Sequence, residues 1–156
     1  MTTLAAEREI RTLDIVQEIS IAAPADVAFA ALLEELGPGS VTPDGKPFPM
    51  KLEPWPGGRW FRDLGNNTGH FWGHVQVFKP PTLLELRGPM FMSYPSENFV
   101  QYRLTAAGKG TELKLTHQAF GWITQDLLEG VNMGWKHGIN RVRELAERRA
   151  SAAPSR

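Results

Sequence analysis

Four histidines, two tyrosines and no cysteine set the chemistry open to this chain of 156 residues. Without cysteine there is no disulfide, thiolate nucleophile or cysteine-bound zinc. His70 and His74 stand at i and i+4 in a strand-like run, on one face but roughly 13 Å apart. Two ligands of one zinc each lie about 2 Å from it, so these two cannot share a metal. The sequence calls for no metal and no cofactor. It contains no nucleophile elbow, and Gly108-Lys109-Gly110-Thr111 is too short for a phosphate loop and joins two strands.

His117 is the one catalytic candidate. Leu113, Leu115 and His117 alternate on one face of a strand, and Glu112, Lys114 and Thr116 on the other. The apolar face is the inner one, so His117 points inward at the strand's end. There it could hydrogen-bond a ligand carbonyl or hydroxyl, or carry a proton. The plainer reading is a structural histidine satisfied by the backbone. Tyr102 shares an inner face with Val100 and Leu104, and a buried phenol must find a partner in protein, water or ligand. Glu85 and Glu112 fall on outer faces, so no inward carboxylate pair supports glycosidase-type chemistry.

Apolar recognition has more material. Trp60, Phe71, Met90, Met92, Tyr102, His117, Phe120 and Trp135 form the candidate ligand-binding set. The segment from Gly88 to Pro95 reads as a loop yet carries Met90, Phe91 and Met92. An apolar loop folds over a cavity mouth, meets a partner or simply packs into the core, and methionine suits a lid that adapts to varied shapes.

These residues need an antiparallel sheet and a long helix to position them. A first strand runs from Asp14 to Ile21, with Ile15, Ile19 and Ile21 at period two. Pro24 then opens a helix from Ala25 to about Leu36, stopped by Gly37-Pro38-Gly39. The stretch from Gly37 to Pro47 reads as a polar surface loop. Six strand-like runs follow, Met50–Glu53, Arg59–Leu64, His70–Phe78, Leu83–Arg87, Asn98–Thr105 and Thr111–Gln118, each ended by turn residues. Their short connections predict antiparallel neighbours. From about Thr124 to Arg149, Leu128, Val131, Trp135, Ile139, Val142 and Leu145 recur at three and four residues. Such a helix is roughly 35–40 Å long. Gly130, Gly134 and Gly138 lie four apart on it, each costing about 1 kcal/mol relative to alanine. They read first as close packing of helix on sheet, and second as room for a ligand.

One domain is expected over 13–149, with a flexible leader over 1–12 and a disordered tail over 150–156. Hydrophobic residues make up 42% of the chain, which suits a packed core. Lys+Arg and Asp+Glu both number 17, so no net positive charge draws nucleic acid or a membrane surface. No signal peptide or spanning segment is visible, and the cytoplasm is the expected location.

The order strand, helix, antiparallel strands, long helix resembles the helix-grip fold of the START-like, or SRPBCC, superfamily. Four local motifs narrow it. Gly57-Gly58-Arg59-Trp60-Phe61, the run from Gly73 to Pro81, the run from Gly110 to His117, and Gly134-Trp135 resemble the domain related to the activator of heat-shock protein 90 ATPase. The resemblance implies an α+β domain whose curved sheet wraps the C-terminal helix around an apolar cavity. Members of the superfamily bind lipids, polyketides, hormones and other apolar molecules. A few are cyclases or hydrolases, and the namesake domain stimulates a chaperone ATPase. Histidine is common at the position of His117 in the family, which favours its structural reading. The expected function is binding of a small apolar or aromatic molecule, as monomer or homodimer. A chaperone-regulating interaction module is the alternative, and a cyclase-like or hydrolytic enzyme ranks below both.

Overall fold

The computed structural model describes residues 9–152. Its elements are β1 (Arg11–Ile21), α1 (Ala25–Leu36), β2 (Lys51–Leu52), β3 (Arg59–Gly65), β4 (Thr68–Lys79), β5 (Leu83–Gly88), β6 (Ser96–Ala107), β7 (Gly110–Gly121) and α2 (Gln125–Ala152). This is the α+β helix-grip architecture, one antiparallel sheet against a long C-terminal helix.

The strands lie in the order β1-β7-β6-β5-β4-β3-β2, every pairing antiparallel. From β2 to β7 the sheet is a meander, and β1 joins its far edge by pairing with β7 from Arg11↔Gly121 to Ile21↔Thr111. Arg11 and Thr12, expected in the leader, therefore belong to the sheet; the rest of that leader through residue 8 lies outside the described residues. At the other end α2 continues through Ala150, Ser151 and Ala152, so only 153–156 of the expected tail lie beyond the described part.

Period-two alternation decides which side chains face inward. On β7 Leu113, Leu115, His117 and Ala119 are buried; on β6 Asn98, Val100, Tyr102 and Leu104 are, and on β5 Leu84 and Leu86. A fully buried leucine contributes about 1.5–3 kcal/mol from apolar transfer. Helix α1 closes this core with Ala28, Phe29, Ala31, Leu32 and Leu36, and α2 with Ile139, Val142 and Ala146. A smaller cluster, Leu13, Met92, Ala119, Ile123 and Val131, fills the opposite end.

Strand β4 breaks its own alternation. Trp60 pairs with Gly73 and Phe61 with Phe71, leaving Trp72 as the extra residue of a bulge. A bulge bends the strand and changes which side chain faces the core. Beside it, β4 and β5 approach so closely that a Cβ on Gly73 would stand 2.5 Å from the Arg87 carbonyl oxygen. One on Gly88 would meet the Gly73 Cα at 2.5 Å. Only glycine fits this crossing, and the apolar loop begins directly after it.

Candidate functional site

A cavity of about 320 Å³ lies between the sheet, the C-terminal half of α1 and the first half of α2. Its aromatic wall is a connected set. Trp60 meets Trp72 edge to face with centroids 5.0 Å apart, Trp72 meets Phe91 at 5.5 Å, and Phe91 meets Trp135 at 6.4 Å. Tyr102 adds a further edge contact to Trp135 at 6.4 Å. These are preferred aromatic geometries, and each adds about 0.5–1.5 kcal/mol beyond burial. Trp60 is fixed by its Nε1–H, which donates to the Leu36 carbonyl at 2.8 Å and so also satisfies an otherwise unpaired group at the end of α1.

The helix side of the cavity is made by absence of side chain. Gly130, Gly134 and Gly138 all border it, and a Cβ on any of them would meet nothing within 4 Å among the described residues. The close-packing reading of this glycine series is therefore overturned, since packed glycines would show backbone or side chains against that position. Their spacing of four keeps them on one face of α2, and that face is left open to the cavity.

Two loops frame the mouth. The segment after α1, expected to be only a surface loop, places Ser40, Val41, Thr42 and Pro43 on the cavity, held by a bridge between Val41 and Pro47. The loop from Pro89 to Pro95 covers another side. Met90 N–H donates to the carbonyl of the bulged Trp72 at 2.8 Å, and Met90 itself adopts a left-handed φ of 57°. That turn sends Met90 and Met92 into the core as anchors and leaves Phe91 against the cavity.

The polar groups gather at one end. Glu35 sits on the inner face of α1, 7% exposed, and accepts a hydrogen bond from Arg141 Nε at 2.8 Å. Burial raises its carboxyl above the usual range, although the Arg141 hydrogen bond and charge pull the other way. Tyr102 is 2% exposed, and its hydroxyl is pushed far above its ordinary pKa by burial and then by the charge of Glu35. His137, one turn before Arg141 on α2, also borders the cavity, and its Nε2 is buried with no hydrogen-bond partner among the described residues.

His117 lies behind this wall, fully buried. Its Nδ1 accepts from Trp135 Nε1 at 2.8 Å, and its Nε2 lies 2.7 Å from Asn98 Oδ1. Indole nitrogen only donates, so Nδ1 carries no proton and Nε2–H donates to Asn98. Asn98 Nδ2 in turn donates to the Pro89 carbonyl at 3.3 Å and to Ser96 Oγ at 3.2 Å. Burial lowers the imidazole pKa to about 4, so it is neutral and fully engaged.

Of the expected ligand-binding residues, Trp60, Tyr102 and Trp135 border the cavity. His117, Met90 and Met92 are buried one layer away from it. Phe71 and Phe120 are outward and 44% and 57% exposed. For Phe71 the cause is the bulge, which turns Trp72 inward instead. For Phe120 the alternation that buries His117 and Ala119 already assigns the outer face. Four further cavity residues, Trp72, Phe91, Glu35 and His137, are absent from the expected set. Glu35 carries a usable signal, because it falls between Leu32 and Leu36 on the apolar face of α1. Among the described residues no group of three or more His, Asp or Glu could hold a metal ion, and no helix is long and apolar enough to cross a membrane.

No family model and no curated protein matches the chain. Solved structures do. An uncharacterized protein from Rhizobium leguminosarum superposes with a TM-score of 0.70 at 16% identity, over 92% of this chain and 99% of that one. The Zhui aromatase/cyclase from Streptomyces sp. R1128 gives 0.69 at 20% identity, over 94% and 100%. CalU16 from Micromonospora echinospora gives 0.60 at 21%, over 96% of each chain. At such identities the likeness establishes the fold, and the fold is that of the helix-grip proteins.

Proposed function

We propose that this protein binds a small apolar or aromatic molecule in the cavity between the sheet and α2. The observation that carries the reading is the glycine series, three helix-weakening residues that border an aromatic-walled cavity with nothing against their Cβ positions. Glycine inside a helix costs about 1 kcal/mol each, and here that cost has no compensating backbone contact. Space for a ligand accounts for it. Ligand sites are mostly apolar with a few placed polar groups, and this cavity matches that composition.

Within the helix-grip proteins we group the chain with the domain related to the activator of heat-shock protein 90 ATPase. Two of the four motifs behind that grouping supply cavity residues, Trp60 from the first and Gly134-Trp135 from the last. The Streptomyces aromatase/cyclase shares the fold, and binding is the activity proposed here.

The test is thermal unfolding of wild type and Gly134→Leu against a panel of neutral aromatic compounds. A ligand that binds only the folded state raises stability as RT ln(1 + [L]/Kd), about 2.7 kcal/mol at a hundredfold excess over Kd. At least one compound should raise the wild-type Tm and leave Gly134→Leu unmoved. Equal shifts in both proteins, or none in either, would rule the cavity out as the site.

A further inference from the structure

We propose that the ligand of this cavity carries an uncharged hydroxyl group, seated at the end formed by Tyr102, His137 and Glu35. The proposal rests on the cavity-binding reading above and specifies what that ligand must present.

Three separate elements bring these groups together: α1 supplies Glu35, β6 supplies Tyr102 and α2 supplies His137, and all three border the same cavity. Each has hydrogen-bonding capacity that the fold leaves unused. His137 Nε2 is buried without a partner among the described residues. The Tyr102 hydroxyl makes no hydrogen bond with the described residues, although the side chain is 2% exposed. Glu35 gives Oε2 to Arg141 at 2.8 Å, and its Oε1 accepts nothing from the described residues. Buried polar atoms in native proteins are generally satisfied, so the unpartnered His137 Nε2, with the free Tyr102 hydroxyl and Glu35 Oε1 on the same cavity, calls for a partner from the ligand.

Their chemistry selects that partner. A phenol donates and accepts, an imidazole nitrogen does either according to tautomer, and a carboxylate only accepts. A ligand hydroxyl can donate to Glu35 or His137 while accepting from Tyr102. A ligand carboxylate would bring negative charge beside Glu35. A ligand ammonium would face Arg141, which already neutralises that carboxylate. The remainder of the cavity, walled by Trp60, Trp72, Phe91 and Trp135, suits a flat ring system.

Isothermal titration calorimetry with naphthalene, 1-naphthol and 1-naphthoate tests this on the intact protein. 1-Naphthol should bind about tenfold tighter than naphthalene, the gain expected of a net hydrogen bond, and tighter than 1-naphthoate. Tyr102→Phe, which removes one oxygen and keeps the ring, should abolish that preference, read as the ratio of naphthol to naphthalene affinity within the variant. His137→Phe should do the same. Equal binding of naphthol and naphthalene, tightest binding of naphthoate, or a preference that survives both substitutions would overturn the hydroxyl assignment and leave the cavity reading standing. Failure of all three probes to bind would overturn both.

Discussion

The indole N–H of Trp135 points away from the cavity and donates to Nδ1 of His117 at 2.8 Å. One residue thereby presents a ring face to the cavity and is locked from behind by a neutral imidazole. Asn98 continues the chain to the Pro89 carbonyl at the start of the apolar loop. Helix, sheet and loop are tied at this one buried histidine.

That arrangement makes the fold acid-sensitive in a defined window. The folded-state pKa of His117 is about 4, against an ordinary 6.5, so between these values the unfolded chain binds more protons than the folded one. Stability is then full above about pH 6.5 and falls as pH drops toward 4, by roughly 3 kcal/mol in all. Glu35, with its pKa raised, acts in the opposite direction as pH falls. Urea unfolding at pH 7 and pH 4 should show a larger loss for wild type than for His117→Gln, in which Glu35 is still present and its effect cancels from the difference. Equal losses would show that His117 is not the titrating group.

Removing the indole N–H, together with part of the ring, should also be felt. Trp135→Phe leaves His117 Nδ1 buried without a donor, a cost of about 1–3 kcal/mol. A double-mutant cycle with His117→Leu should return a coupling of about 1 kcal/mol or more. Strict additivity would mean the contact carries no energy.

The glycines of α2 give an unusual sign. Gly130→Ala, Gly134→Ala and Gly138→Ala each place a Cβ where nothing stands within 4 Å. Each should stabilise the helix by about 1 kcal/mol, raise Tm and narrow the cavity. A fall in Tm on all three substitutions would restore the packing explanation.

The loop separates anchoring from covering. Met90→Ala empties a core position 2% exposed and should cost about 2–5 kcal/mol. Phe91, 37% exposed and against the cavity, should affect stability less when changed to alanine and instead speed ligand release. Chemical unfolding and stopped-flow dissociation distinguish the two roles.

Periodicity makes the frame legible in the amino-acid sequence. Pro24 and Gly37 bound α1 where expected, and the alternation of Leu113, Leu115 and His117 assigns the inner face of β7 correctly. Trp72 escapes because a bulge reverses alternation locally and has no sequence signature of its own. Phe91 escapes because the choice among three consecutive apolar loop residues depends on the left-handed turn at Met90. His137 and Tyr102 are visible as polar residues on apolar elements, but their convergence with Glu35 is a property of tertiary packing. Gly130, Gly134 and Gly138 are visible as a pattern, and only the surroundings of each missing Cβ decide what the pattern means.

Native mass spectrometry of the protein purified from its own host, beside Gly134→Leu prepared identically, tests the cavity most directly. A small organic adduct is expected on the wild type, released by denaturing extraction and absent from the variant. An adduct of equal occupancy on both proteins would contradict ligand binding in the cavity, because a leucine at position 134 occupies the space that the ligand requires.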